Sequence, residues 1–161
     1  LDVLATLLCN FVKLTPGQAV YLPPRTIHAY LNGVGVEVMA ASDNVVRGGL
    51  TIKPIDLKLF LEIADTSAKS LESYLVVPEN LVNGKTWSAP DLKLVELPAS
   101  QDARSHLITA ETTAFVWGGK VRLSAAKGES SITIGGDLGA IIPAGRFEYS
   151  GTGSLWLASQ G

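Results

Sequence analysis

Two side chains near the start of the sequence are suited to binding a metal ion and an anion. His28 carries an imidazole, which is the commonest type of metal ligand and suits zinc. Arg47 carries a guanidinium, which stays protonated and presents a rigid fork of donors to a phosphate or an oxyanion. A lone histidine is more often packed or solvated, and an arginine before two glycines is more often a surface residue. The surrounding pattern must therefore decide whether these two act together.

The residues that lead to His28 predict a strand, a tight turn and a second strand. Gly17 opens the stretch, a short apolar run leads to Pro23, and Asn32 follows the histidine. This spacing resembles the second sequence motif of the cupin proteins, in which the histidine of the second strand points into a barrel. One position departs from that motif, because Arg25 stands where cupins have a glycine.

A closer resemblance begins at His28. The run is similar to the type I phosphomannose isomerases, which are zinc enzymes of the cupin class that interconvert mannose 6-phosphate and fructose 6-phosphate. The matching residues are His28-Ala29-Tyr30, Gly33, Glu37, Ser42-Asp43-Asn44, Arg47 and Gly49-Leu50-Thr51. The strong match covers residues 16–57. The family's lysine after the threonine is kept as Lys53, but Ile52 replaces the proline before it.

The resemblance implies a role for each of five residues. His28 matches the last of four zinc ligands, and Arg47 matches an active-site arginine. Asp43 matches an acidic residue that lines the sugar-phosphate pocket, although an Asx turn explains it equally well. Glu37 points away from its valine neighbours, so it faces either water or the barrel interior. Lys53 lies just past the loop, where it either reaches the pocket or is solvated.

The implied reaction explains why these residue types are needed. Aldose–ketose isomerisation moves a proton between C1 and C2 through a cis-enediol. Zinc polarises the carbonyl and the neighbouring hydroxyl as a Lewis acid, and a base removes and returns the proton. Fixed positive charge then stabilises the developing oxyanion and the phosphate dianion. The partner that this chemistry predicts is a small sugar phosphate.

The zinc site that the resemblance implies is incomplete in this sequence. The family's other ligands are a glutamine and a histidine separated by one residue, and a glutamate, all of which lie upstream. The chain contains no Gln-x-His. We therefore expect the C-terminal part of an isomerase, whose N-terminal half completes the site. One histidine is too few for a catalytic zinc, so we expect the chain alone to be inactive and to bind zinc poorly.

The apolar patterning predicts mainly strands. An amphipathic helix is expected over residues 1–12, and Asp56 is expected to cap a helix over 57–63. Short runs bounded by glycine or proline predict strands at 18–22, 26–31, 34–40, 71–77, 92–97, 105–110, 112–117, 119–124, 130–134, 138–142 and 154–158. This pattern predicts an all-β fold with cupin-type double-stranded β-helix (jelly-roll) elements and short helices near the N-terminus.

Small polar residues at 64–70 predict a domain boundary. Residues 1–66 are expected to hold part of a catalytic barrel and the end of a helical insertion, and residues 67–161 a second cupin-like domain. Pro143-Ala144-Gly145 follows a strand as Pro23-Pro24-Arg25 does, so the chain either holds parts of two related barrels or repeats a common turn. Glu148 then stands at the place of His28.

Composition excludes several classes of function. The 161 residues carry a net charge of −2, which gives no reason to expect a nucleic-acid partner. No apolar run approaches the roughly 18 residues that span a bilayer. A single cysteine cannot form an internal disulfide, which favours a cytoplasmic protein. Two other functions stay open: a non-catalytic cupin-like module that binds a sugar or another small molecule, and a supporting structural domain over 71–161.

Overall fold

The computed structural model describes residues 4, 6–42, 44–125, 130–136 and 138–161. The chain divides into two compact units, Leu1–Val76 and Val77–Gly161. No helix in the described ranges is long and apolar enough to cross a membrane. The predicted all-β fold with short helices near the N-terminus is confirmed, because strands predominate among the described residues and a short α-helix lies in the first unit.

The first unit has little regular structure. Strand β1 (Ala19–Val20) pairs antiparallel with β2 (Leu75–Val76). Helix α1 (Leu57–Ile63) begins where the sequence predicts, because the Asp56 carboxylate accepts a hydrogen bond from the Leu59 amide at 2.9 Å. Single 3-10 turns lie at Thr6–Leu8 and Leu71–Ser73. An isolated bridge joins Thr26 to Asp65, just after the helix.

Three predictions for the first unit fail in whole or in part. Of the expected helix over 1–12, the described residues keep helical conformation at Leu4 and in the 3-10 turn Thr6–Leu8, residues 9–12 are not helical, and residues 1–3 and 5 lie outside the described chain. Phe11 is 80% exposed, so the apolar face has nothing to pack against, and such a short helix is marginal in water. The expected strands at 26–31 and 34–40 do not form, apart from the bridge at Thr26. A strand needs a neighbour for its backbone hydrogen bonds, and these segments have none in the described chain.

The second unit is built from two antiparallel sheets. One has six strands in the order β10-β7-β12-β5-β4-β3, and the other has four in the order β6-β11-β8-β9. Their bounds are β3 Glu79–Leu81, β4 Gly84–Ser88, β5 Leu92–Pro98, β6 Arg104–Ile108, β7 Thr112–Trp117, β8 Lys120–Ala125, β9 Ser131–Gly135, β10 Ala140–Ile142, β11 Gly145–Gly151 and β12 Ser154–Gln160.

One hydrophobic core lies within the second unit. Buried residues alternate with more exposed ones along β7, where Thr112, Ala114 and Val116 are buried. The core also contains Val95, Leu97, Ile108, Val121, Leu123, Ile134, Phe147, Tyr149, Leu155 and Leu157. The predicted strands at 92–97, 105–110, 112–117, 119–124, 130–134, 138–142 and 154–158 are present within small shifts of their ends. Of the expected strand at 71–77, only the two residues of β2 form a strand. Strands β3, β4 and β11 were not predicted.

The pH dependence of stability in this unit should reflect His106. Its ring packs edge-on against Phe147, with ring centroids 5.9 Å apart. Burial, reinforced by the charges of Lys93 and Arg146, lowers the pKa of His106 below its ordinary value of 6.5. The unfolded chain therefore binds more protons than the folded one as the pH falls below 6.5. We expect stability to decrease over that range.

Denaturant titrations monitored by tryptophan fluorescence test this, because Trp87, Trp117 and Trp156 all lie in the second unit. Between pH about 7.5 and about 5, His106→Gln should lose less stability than the unsubstituted chain. Equal losses in the two proteins would show that His106 does not cause the loss of stability at low pH.

Candidate functional site

His28 is exposed and its ring is oriented by the backbone. The Nδ1 atom lies 2.8 Å from the carbonyl oxygen of Thr26. A carbonyl only accepts hydrogen bonds, so Nδ1 must donate, and in the neutral ring the lone pair then lies on Nε2. Histidines that bind metal ions commonly have this arrangement, in which one ring nitrogen is fixed by a carbonyl and the other binds the metal. This arrangement leaves the Nε2 atom of His28 as the nitrogen that could bind a metal ion.

Tyr30 connects His28 to Glu37. The rings of His28 and Tyr30 meet edge-on with centroids 5.8 Å apart, and the tyrosine hydroxyl donates to Glu37 Oε1 at 2.8 Å. Although most of the Tyr30 ring is exposed, desolvation of its hydroxyl and the bond to Glu37 raise its pKa to about 12. Tyr30 was not singled out from the sequence. Its position two residues after His28 was the available signal, since such residues share a face in extended chain.

Arg47 lies in a loop that packs on the first turn of α1. Its carbonyl accepts from the Asp56 amide at 3.2 Å, and its Nη1 donates to the Val45 carbonyl at 3.5 Å. A Cβ added to Gly48 would lie only 2.7 Å from the Phe60 ring, so the loop approaches the helix as closely as a glycine allows. The capped helix therefore positions the partly buried Arg47.

The structure does not join all the predicted residues. Lys53 is exposed, and its backbone amide donates to Thr51 Oγ1 at 3.1 Å. Asp43 lies outside the described residues. Within the described ranges, no hydrogen bond or ion pair connects Arg47 or Lys53 to His28 or Glu37. No cluster of three or more histidine, cysteine, aspartate or glutamate side chains there could hold a metal ion.

The turn before His28 contains a strained residue. Arg25 has a φ of 73°, a region that favours glycine, which explains the glycine at this position of the cupin motif. Its side chain compensates, because Nε donates to the Ile63 carbonyl at the end of α1. Its own carbonyl accepts from the Asp65 amide at 3.0 Å. The turn that carries His28 is thus tied to the helix that positions Arg47.

Two substitutions at Arg25 separate the effect of its backbone conformation on stability from the effect of its side-chain hydrogen bond. Both Arg25→Ala and Arg25→Gly lose the bond to Ile63, but only alanine keeps the strain of a positive φ. We expect the glycine variant to be about 1 kcal/mol more stable than the alanine variant. Thermal melts followed by circular dichroism measure the difference. An alanine variant as stable as the glycine variant would show that the positive φ carries no strain.

The similar turn at Pro143-Ala144-Gly145 does not lead to a second metal ligand. Gly145 has a φ of 149°, so both turns place a positive φ at the third residue. Glu148, at the place of His28, is exposed, and its strand neighbours Phe147 and Tyr149 fill the core instead. The predicted echo therefore extends to a positive φ at the third residue of each turn and not to chemistry.

Comparisons with known proteins give the class and then the family. A scan against protein-family models finds no match. A solved structure of mannose 6-phosphate isomerase from Salmonella typhimurium, bound to its substrate and to zinc, superposes with a TM-score of 0.62. The two sequences are 24% identical, and the superposition covers 76% of this chain and 32% of the Salmonella chain. The structure is thus that of an all-β protein of the cupin-like type found in this enzyme.

The sequence relatives identify the family more closely. Mannose-6-phosphate isomerase of Escherichia coli is 39% identical over 134 residues, or 78% of this chain and 34% of the relative. The Salmonella typhimurium enzyme is 37% identical over 158 residues, which is 92% of this chain and 39% of that enzyme. The resemblance to the phosphomannose isomerases is confirmed. The chain spans less than half the length of these curated relatives.

Proposed function

We propose that this chain forms part of a zinc-dependent isomerase that interconverts mannose 6-phosphate and fructose 6-phosphate through a cis-enediol. The observation that carries the proposal is the orientation of His28, whose Nδ1 bond to the Thr26 carbonyl leaves Nε2 for a metal. It stands within a sequence match that covers most of the chain. The residues present fit one ligand of a catalytic zinc, which in turn would polarise the substrate carbonyl.

The solved structures of the Salmonella enzyme support the choice of residues. Among them are variants in which a histidine and a glutamate nine positions apart are each replaced by alanine. His28 and Glu37 have the same spacing. The shared spacing supports the proposal that both residues belong to the functional site. Tyr30 contacts both of them.

The other site residues take roles that follow from their chemistry. Arg47 holds negative charge on the substrate, either at the phosphate or at the enediolate oxygen, because its guanidinium stays protonated and is held by the loop on α1. Glu37 and Tyr30 orient the substrate hydroxyls near the metal. Lys53 and Asp43 bind the sugar phosphate from the same loop region. The proton-transferring base is not assigned.

We propose that a further portion of the same protein completes the site. The first unit supports this, because many of its apolar side chains are more than half exposed, as a surface covered by another part of the protein would be. They include Leu7, Leu8, Phe11, Leu31, Val34, Met39, Ile52 and Leu61. Three zinc ligands would come from that portion. A cytoplasmic location accords with the single cysteine.

The decisive experiment uses the complete reading frame that encodes this chain. Conversion of mannose 6-phosphate to fructose 6-phosphate and bound zinc are measured together, with His28→Ala beside the matched variant His106→Ala. We expect the intact protein to be active with one zinc, His28→Ala to lose both, and His106→Ala to keep its zinc. The isolated 161-residue chain should be inactive. No activity and no zinc in the intact protein would leave a non-catalytic cupin-like module that binds a sugar or another small molecule.

A further inference from the structure

An open cleft lies in the second unit, and none of the residues assigned above lines it. Its volume is about 420 Å³, within the range of small-molecule sites, and it is lined by Val116, Trp117, Gly118, Gly119 and Gly136. It lies where the β7–β8 and β9–β10 connections pass from one sheet to the other. The loop between β11 and β12 contacts the β7–β8 connection.

Trp117 gives the cleft an exposed aromatic wall. It ends strand β7 and is 60% exposed, whereas Trp87 is buried and stacks on Trp156 with centroids 5.8 Å apart. Phe115 stacks on the other side of Trp156 at 6.3 Å. Rings stacked in a row have their faces covered by one another. Trp117 forms no such stack in the described residues, so its indole face remains open for a ligand.

Two glycines keep the cleft open. Gly118 and Gly136 have φ values of 72° and 65°, and a Cβ added to either would meet nothing within 4 Å. The floor beside the indole is therefore peptide backbone, whose amide and carbonyl groups hydrogen-bond to polar ligands. Without side chains there, a flat ring can approach that backbone closely.

The cleft is held in shape by tight contacts beneath it. A Cβ on Gly119 would lie 2.2 Å from the Thr152 carbonyl oxygen, and one on Gly153 would lie 2.3 Å from that of Trp117. The Thr152 amide also donates to the Lys120 carbonyl at 2.9 Å. Only glycine fits these positions. A site fixed in this way loses little conformational entropy when a ligand binds.

The lining defines the chemistry of the ligand. Among the described residues the lining contains no ionisable side chain, so none of them compensates for the desolvation of a charged group. It combines an indole face with backbone donors and acceptors. A ring with an apolar C–H face and a polar edge fits this combination. We propose that the cleft beside Trp117 binds a neutral hexopyranose ring, as a site separate from the one that holds His28 and Arg47.

The test uses the chain labelled with 5-fluorotryptophan, which gives one ¹⁹F signal for each of the three tryptophans. The Trp117 signal is the one lost in Trp117→Phe. The probe is methyl α-D-mannopyranoside, which lacks a phosphate and is locked in its ring form, so it is not a substrate of the isomerase. We expect a saturable shift of the Trp117 signal alone, with a Kd on the order of 1–10 mM, as one stacked ring gives.

Variants and a second probe complete the test. Trp117→Ala should weaken binding more than about tenfold, measured by saturation transfer to the glycoside, whereas the exposed control Ile141→Ala should not change it. The proposal is overturned if the Trp117 signal does not move or if all three signals move together. It is also overturned if benzyl alcohol shifts the Trp117 signal at lower concentration than the glycoside, because the cleft would then be a simple apolar site. The readings with unsubstituted protein do not depend on isomerase activity, and the only variant they need is Trp117→Phe, which assigns the signal.

Discussion

Arg47→Ala is expected to lower kcat/KM for mannose 6-phosphate by a factor of about 10²–10³ in the complete protein, with little change in stability. In the proposed site, the guanidinium supplies fixed positive charge for the substrate's negative oxygens. Its loop stays attached to α1 through the backbone bond from Asp56 to the Arg47 carbonyl, which the substitution does not remove. Steady-state kinetics and a thermal melt of each variant separate the two effects.

Two matched variants make this prediction specific. Arg47→Lys keeps the charge but loses the planar fork, so its activity should fall between those of alanine and arginine. Arg122→Ala removes an exposed arginine whose Nη2 donates to Ser131 Oγ at 3.1 Å in the second unit. That variant should retain full activity. If Arg47→Ala is as active as Arg122→Ala, Arg47 is a surface residue and the assignment of its role is wrong.

The largest effect on stability is expected from Leu155→Ala. Leu155 is fully buried at the centre of the six-stranded sheet, between Leu97 of β5 and Val116 of β7. Removing three carbon atoms there leaves a cavity that the surrounding strands fill only in part. The loss should be about 2–5 kcal/mol of the free energy of unfolding.

Urea titration with tryptophan emission measures this loss, because all three tryptophans belong to the second unit. Ile141→Ala is the comparison, since Ile141 is 70% exposed on β10 and should change stability by less than about 0.5 kcal/mol. A loss at Leu155 no greater than that at Ile141 would mean that the two sheets do not enclose a packed core.

Local signals in the sequence predict the second unit better than the first. The helix at 57–63 was predictable because Asp56 is a capping residue followed by apolar residues on one face. Seven of the ten strands described in the second unit were predicted correctly, because their segments find partner strands within the described chain. The segments 26–31 and 34–40 have the same β-branched and aromatic composition but remain irregular. Local pattern cannot report whether a partner strand is present.

The strands that were missed had signals of a different kind. Asn83-Gly84 is a strong hairpin signal, and a hairpin forms there with its two-residue turn one position earlier, at Val82-Asn83, between β3 and β4. Gly84 is also needed for packing, because a Cβ there would lie 1.9 Å from the Glu96 carbonyl oxygen. In β11, Phe147 and Tyr149 alternate with polar residues, but the glycines at both ends of the strand obscured the pattern.

The sequence predicted which residues form the candidate site but not the contacts between them. The motif identified His28, Glu37 and Arg47, since each belongs to a recognisable run. The Nδ1 bond to Thr26 and the connection through Tyr30 depend on the path of the backbone after the turn. The support of Arg47 depends on contact between Gly48 and Phe60. None of these three contacts follows from the spacing of the residues alone.

The pairing of β1 with β2 has a consequence for the order of folding. Two residues at each end, Ala19–Val20 and Leu75–Val76, close a loop that contains the whole candidate site. The entropy lost on closing a loop grows with the logarithm of its length, and here only a short ladder offsets it. The backbone amides of this ladder should exchange with solvent far faster than those of the β5–β12 ladder, because such a closure forms late and opens first. The part of the molecule that carries His28 and Arg47 is therefore the part whose order is most easily gained or lost.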